Sequence, residues 1–451
     1  MNIVIIGLGN IGKSVLKSLA SEEHTITVID KCKNKVEELV EKYDILGVIG
    51  NGASLDIQRE AGVPSAQLVV ALTRNDELNI FACLVANRLG CKNTVARIRN
   101  PDYRRQIPEM KDDLGISMIV NPELETAREI FNLIDLPSAA RVEHFANGRA
   151  KLVEIVAAPG CALIGKSLYS IGKDISSSVL ICAVRRGTHV YIPDGNFIIE
   201  ENDKLHLTAD SKCLGRFLKE TGLVKSPLRS VMIVGGGKIG YYLADALEER
   251  NYRVKLIEKD AEKAQFLAQA LPRVSVCCGN GTNHEFLTEE GIDAVDAFIA
   301  LTDIDEENIV VSMFAEKRGV KKTIAKIKSD ELLAMYDELG TKDSVSSKRI
   351  VAERVVGYAR AMANSRGSNI LSLYQLVENR VEALEFTARK SSRILNRPLA
   401  DLVTKKDCLV ACIIHNNEVI IPNGSSEIRL GDNVVVVTTH KNFDDLTDAF
   451  E

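Results

Sequence analysis

Two glycine clusters are the residues of this sequence best placed to do chemistry. Gly7-Leu8-Gly9-Asn10-Ile11-Gly12 follows the apolar run NIVII and opens the amphipathic stretch IGKSVLKSLA. In this spacing the first glycine permits a tight strand-to-helix turn, the second lets the backbone approach a pyrophosphate, and the third lets helix and strand pack closely. The helix start then offers unpaired amides and a positive dipole end to phosphate oxygens. Asp30 closes the next apolar run, TITVID, where an acid accepts hydrogen bonds from the hydroxyls of an adenosine ribose. A carboxylate there repels a 2′-phosphate, so the pattern favours NAD over NADP. Taken alone, the same glycines are equally compatible with a tight turn that binds nothing.

The constellation occurs twice. Gly235-Gly236-Gly237-Lys238-Ile239-Gly240 lies 228 residues beyond the first cluster, and Glu258 answers Asp30 at the same offset. Gly50-Asn51-Gly52 returns as Gly279-Asn280-Gly281, Thr73 with Asn79 as Thr302 with Asn308, and VARIR (95–99) as IAKIK (324–328), now 229 residues apart. One inserted residue accounts for the change of offset. Further on, Ile192-Pro193-Asp194-Gly195 matches Ile421-Pro422-Asn423-Gly424, and Asn202-Asp203 matches Gly431-Asp432. The chain is therefore two tandem copies of one two-part unit. The stretch from Thr221 to Ser230, with turn residues and little periodicity, is the expected join.

The elements that must position these residues follow from periodicity. Short β-branched runs at Ile3–Ile6, Thr25–Ile29, Ile45–Ile49, Leu68–Leu72, Thr94–Ile98 and Ser117–Val120 alternate with helical patterns. Alternating βα units build a parallel, doubly wound sheet, whose ligands bind at the C-terminal ends of the strands. Asn51 and Gly52 follow the third strand, Thr73 and Arg74 follow the fourth, and Arg97 lies in the fifth. Arg97 reads either as half of an ion pair at a strand end or as a forked donor to a ligand anion; Lys326 keeps the charge and loses the fork. After Asn121-Pro122, ELETAREIFNLI is amphipathic and free to leave the sheet and pack elsewhere. The block from Val142 to Thr221 reads as a small α/β module with a hairpin at Arg186-Gly187.

Composition narrows the function. The 451 residues (49.5 kDa) are 45% hydrophobic and 26% charged, which are globular proportions with room for several domains. Aromatics are only 5% with no Trp, which disfavours stacking platforms for single-stranded nucleic acid, and at a net charge of −5 no whole-chain basic field holds DNA, which leaves room only for local patches. Several of the ten cysteines sit in apolar runs, such as Cys182 and Cys412, and their positions suit a reducing cytoplasm rather than a disulfide framework. The N-terminal run lacks a basic leader, and no apolar run approaches the ~18 residues of a membrane span. Cys408, Cys412 and His415 tempt as metal ligands, but strand alternation puts the cysteines on one face and the histidine on the other, so no metal site is expected. The seven histidines do not recur between the copies, and no nucleophile elbow or phosphate-loop lysine motif is present. Duplicated cofactor folds without catalytic residues point to a sensor rather than an enzyme.

The order GLGNIG, VID, GNGAS, ALTRNDELN and ARIRNPDY, then LIGKSL, PDG and END, all repeated, resembles the TrkA family, the cytoplasmic regulatory subunits of Trk-type potassium uptake systems built from RCK (also KTN) domains. The resemblance spans essentially the whole chain. It implies an α/β fold of two tandem Rossmann-like, doubly wound parallel sheets (RCK N-lobes, 1–122 and 228–348), each followed by a small α/β RCK C-lobe (140–222 and 368–451). It implies a non-enzymatic binder of NAD(H), with ATP or ADP as further ligands. Such a protein assembles as a homo-oligomer, a dimer or tetramer ring, on the inner face of the cell membrane against a membrane-embedded potassium transporter subunit of the Trk type. Carried over, Gly7 to Gly12, Asp30, Asn51, Gly52, Thr73, Arg74 and Arg97 line the first nucleotide site, and Gly235 to Gly240, Glu258, Asn280, Gly281 and Thr302 the second. The family often carries an acid in the turn after the third strand, where this chain has Asn51 and Asn280. A soluble NAD-dependent oxidoreductase and the regulatory part of a potassium efflux system are the alternatives. The helical stretches Glu123–Ile134 and Arg349–Ala363 fit either a dimer contact or packing on their own sheets.

Overall fold

The computed structural model describes residues 1–451 except 23, 136–138, 146–149, 175–178, 210, 224–227, 339–342, 365–369, 377–379, 390–393, 417, 441, 442 and 444. Part of the expected join, 224–227, thus lies outside the described residues. The chain divides into two compact units. One combines Met1–Ile134 with Leu228–Val356, and the other combines Asp135–Pro227 with Gly357–Glu451. Each unit takes one half from each sequence copy.

In the first unit, copy one forms β1 (Asn2–Ile6), α1 (Asn10–Leu19), β2 (Thr25–Asp30), α2 (Lys33–Lys42), β3 (Leu46–Ile49), α3 (Leu55–Glu60), β4 (Leu68–Ala71), α4 (Asp76–Arg88), β5 (Thr94–Arg97), α5 (Pro101–Leu114), β6 (Met118–Val120) and α6 (Pro122–Asp135). The six strands lie parallel in the order β3-β2-β1-β4-β5-β6. This order reverses direction between β1 and β4, which is where doubly wound sheets open a ligand crevice. From Ile3 onward β1, like all of β4, is apolar and buried on both faces, as parallel central strands must be.

Copy two rejoins this unit as β12 (Ser230–Val234), α9 (Lys238–Glu249), β13 (Arg253–Glu258), α10 (Ala261–Ala270), β14 (Ser275–Cys278), α11 (His284–Glu289), β15 (Ala297–Ala300), α12 (Asp305–Lys317), β16 (Lys322–Lys326), α13 (Asp330–Glu338), β17 (Asp343–Val345) and α14 (Ser347–Asn364). Its sheet has the matching order β14-β13-β12-β15-β16-β17.

The amphipathic stretch after Asn121 does leave its sheet. Ala127, Ile130, Leu133 and Ile134 of α6 are buried in one cluster with Val231 and Ile233 of β12, Leu243 and Leu247 of α9, and Leu256 of β13. The apolar stripe of the first copy therefore completes the core of the second. Polar contacts follow the same seam: Thr126 Oγ1 lies 2.8 Å from Ser347 Oγ, and Glu125 Oε2 is 3.3 Å from Arg354 Nη1.

The second unit holds two five-stranded antiparallel sheets. The first runs β10-β9-β11-β8-β7, from β7 (Ala139–Phe145), β8 (Ala150–Val156), β9 (Leu180–Arg186), β10 (His189–Tyr191) and β11 (Lys204–Ala209), accompanied by α7 (Leu168–Asp174) and α8 (Ser211–Glu220). The second repeats that order with β18 (Ile370–Leu376), β19 (Val381–Thr387), β20 (Cys408–His415), β21 (Glu418–Ile420) and β22 (Asn433–Thr438). Strict alternation fails in β20. Its register against β22 shifts between Val410 and Cys412, so Ala411 bulges and the faces exchange. Cys408 packs in the core with Leu384 and Phe386, whereas Cys412 faces a different cluster that includes Leu152 and Cys182. The two thiols therefore do not share a face, and His415 Nδ1 lies 2.6 Å from Asp432 Oδ1.

Candidate functional site

The glycine turns are held by close backbone contacts. Gly7 and Gly235 have φ of +97° and +109°, a region that glycine enters without a Cβ clash. A Cβ at Gly12 would stand 2.0 Å from Gly7 O, so the third glycine is demanded by helix-on-strand contact. Gly9 is different: a Cβ there would meet nothing within 4 Å. The fold leaves that space open, and it lies at the start of α1. Gly9 and Gly237 serve as the N-caps of α1 and α9 without a side-chain cap, so the first-turn amides remain available to an incoming anion.

Asp30 ties the turn to the next strand. Its Oδ2 accepts from the Leu8 amide at 2.6 Å and its Oδ1 from the Cys32 amide at 2.9 Å. Glu258 repeats this with the Gly236 amide at 2.9 Å and the Asp260 amide at 3.0 Å. Each carboxylate is held at a strand end with lone pairs left over for ribose hydroxyls.

Asn79 and Asn308, which the repeat picks out but which carry no motif of their own, brace the fourth strand end. Fully buried, Asn79 accepts from the Thr73 amide (2.9 Å) and hydroxyl (2.7 Å) and donates to the carbonyls of Thr73 (3.2 Å) and Arg97 (2.8 Å). Asn308 makes the matching bonds to the Thr302 amide and carbonyl and the Lys326 carbonyl. One side chain thus locks β4 to β5, and the other β15 to β16, at the sheet edge where a ligand would sit.

Both loops open on one cavity of about 1340 Å³. That exceeds the ~300–1,000 Å³ usual for a single small-molecule pocket. All the residues expected to line the two sites do line it except Gly12 and Gly236. Gly12 is turned against Gly7, and Gly236 gives its amide to Glu258. Sequence reasoning missed several other linings. Lys31 and Lys35 recur as Lys259 and Lys263 at the 228-residue offset, a signal the repeat contained. Glu123 of α6 and Ser346, Ser347 and Lys348 at the start of α14 also reach the cavity. No motif marks them, but each follows the last strand of its own sheet, where Val120 pairs with Arg97 and Val345 with Lys326.

Arg97 keeps an unfilled donor. Its Nη1 reaches the Thr73 carbonyl only at 3.5 Å, and its Nε is buried without a hydrogen-bond partner. Burial, reinforced by Arg99, holds its guanidinium below the ordinary value, although Glu123 and Asp76 work the other way. Burial likewise lowers the Lys326 ammonium, helped by Lys328 and opposed by Asp303.

Two Rossmann-like lobes turning their C-terminal strand edges on one cavity, joined to two small antiparallel modules, define a protein with a tandem RCK-type fold. The family model for the TrkA-N domain matches residues 3–122 and 231–347, and that for the TrkA-C domain matches 152–222 and 383–451. The chain belongs to the TrkA family. The Trk system potassium uptake protein TrkA of Vibrio alginolyticus is 31% identical over 447 residues, covering 98% of this chain and 97% of that one. The TrkA homolog of Archaeoglobus fulgidus is 29% identical over 451 residues, the whole of both chains. Among solved structures, the GsuK channel superposes with a TM-score of 0.63 at 18% identity, over 98% of this chain and 77% of that one. The crystal structure of the GsuK RCK domain gives 0.62 at 18% identity, over 98% and 93%. Among the described residues, no helix is long and apolar enough to cross a membrane.

Proposed function

We propose that this chain is the nucleotide-sensing regulatory subunit of a potassium uptake system, binding NAD(H) or an adenine nucleotide and gating a membrane-embedded partner of the Trk type. The observation that carries this reading is the single cavity shared by both glycine loops, in a chain related along its full length to Trk system potassium uptake proteins. A structure of the GsuK channel with NAD bound has the same fold. In this reading the first site uses the amides at Gly9 to Ile11 for the diphosphate and Asp30 for the ribose, and the second uses those at Gly237 to Ile239 with Glu258.

A ligand held between the two copies alters how they pack, and it shifts gating only through unequal affinity for the two states. One site supplies about 1–3 kcal/mol of coupling, so several sites in a homo-oligomeric ring make the response steep. The protein works from the inner face of the membrane, and its ligand is read rather than consumed. The test is co-purification with the membrane potassium-transport subunits, then ion flux measured with and without nucleotide. Flux that ignores the nucleotide, or a change in 340 nm absorbance that depends on a small hydroxy or amino acid, would sink the reading.

A further inference from the structure

The two sites share a backbone scaffold but differ in charge on one side. In each sheet the acid at the end of the second strand lies on one flank of the glycine loop, and the ends of the fourth and fifth strands lie on the other. An adenine nucleotide with its ribose on Asp30 or Glu258 and its diphosphate on the helix start must therefore extend whatever follows the diphosphate over the fourth and fifth strands.

At the first site that region carries Arg74, Leu78 and Arg97. Arg99 stands behind them, donating to the Arg74 carbonyl, with its Nε 3.6 Å from Oδ1 of the buried Asp76. Arg74 is exposed, Arg97 has an unpartnered buried Nε, and Glu123 is the cavity-lining acid that acts on Arg97. At the second site the positions of Arg74 and Leu78 are taken by Asp303 and Glu307, and the arginines by Lys326 and Lys328. There the cations are already answered. Asp303 Oδ1 is 3.7 Å from Lys326 Nζ and 3.3 Å from Lys328 Nζ. Lys326 also donates to the Leu301 carbonyl at 3.2 Å, and Lys328 to the Asp303 carbonyl at 2.6 Å. Lys348 in turn pairs with Asp330 at 3.0 Å. The first region thus holds positive charge in excess of its acids, and the second is internally neutralised with an exposed carboxylate in front.

Resting on the nucleotide-binding reading above, we infer that the two sites sort adenine nucleotides by the group beyond the diphosphate. The first retains ligands that end in a further phosphate, as ATP does. The second retains those that end in an uncharged or cationic group, as oxidised NAD does. A terminal phosphate meets a desolvated forked donor at Arg97 in the first site and a repelling Asp303 in the second.

Titration calorimetry of the full chain with ATP and with NAD⁺, singly and in competition, tests this. ATP is expected to displace NAD⁺ from one site per chain and leave the other. Asp303→Arg should raise ATP affinity at the second site roughly tenfold, so that ATP displaces both equivalents. Arg74→Asp should lower ATP affinity at the first site by a similar factor and lower NAD⁺ affinity less, so that the ratio of ATP to NAD⁺ affinity there falls. Both side chains are exposed, and the milder Asp303→Asn and Arg74→Gln report the same directions should either reversal misfold. If both nucleotides bind but their affinity ratio is unmoved by these changes, the sorting is wrong and the nucleotide reading survives. If neither nucleotide binds the unaltered chain, both fall together.

Discussion

The Asp30 carboxylate and the Leu8 amide are joined by a 2.6 Å hydrogen bond that pins the glycine turn to the end of the neighbouring strand. Glu258 and Gly236 repeat it at 2.9 Å in the second copy. The acid proposed to face the ribose is thus also the clamp that shapes the glycine turn. Asp30→Ala is expected to remove one bound nucleotide per chain in equilibrium dialysis, and Glu258→Ala to remove the other. Retention of two equivalents by either variant would end the assignment.

The glycines separate into packing and ligand roles. Gly12→Ala drives a Cβ to within 2.0 Å of the Gly7 carbonyl oxygen and should cost roughly 1–3 kcal/mol or more, read as a lowered urea midpoint. Gly9→Ala places its methyl in open space and should leave that midpoint unchanged while weakening nucleotide binding. Equal effects on stability would contradict the division.

Asn79 makes four bonds from a fully buried position. Asn79→Ala should cost about 1–3 kcal/mol for each buried backbone group left unsatisfied, and it should loosen the loop carrying Thr73 and Arg74. Faster amide exchange at Thr73 is the direct readout. The matching change at Asn308 should act on Thr302 without touching Thr73.

Because α6 packs in the core of the other copy, its loss should be felt there. Ile130→Ala is expected to cost about 2–5 kcal/mol, with the lost exchange protection concentrated in β12, β13 and α9 rather than in β1 and β2. Loss confined to the first copy's own sheet would overturn the crossing.

The thiols should divide by burial. Burial pushes Cys83 and Cys412 up to about 12 and Cys182 higher still, so none forms a thiolate near pH 8. Cys32 and Cys278 are exposed. Brief alkylation of the folded chain followed by peptide mass spectrometry should mark those two first and spare the buried three.

Much of this protein is written in local sequence. The glycine spacing, the closing acids Asp30 and Glu258 and the β-branched runs dictate two parallel sheets with their ligand edges marked, because strand period and turn sterics act over a few residues. The self-repeat adds the two-part unit and points to Asn79 and Asn308, although nothing local says what they bind. Tertiary structure alone decided the rest. The bulge at Ala411 turns Cys412 away from the core that holds Cys408, since which face a strand residue takes depends on pairing with β22. Thr126 meets Ser347 across 221 residues, and Ile130 shares a buried cluster with Leu243, so the helix that an amphipathic pattern announces found its partner only through the core of the other copy. That same crossing sets the two glycine loops on one cavity. Local propensity shaped each loop, but a shared cavity is a property of long-range packing, and no spacing in the sequence encodes it.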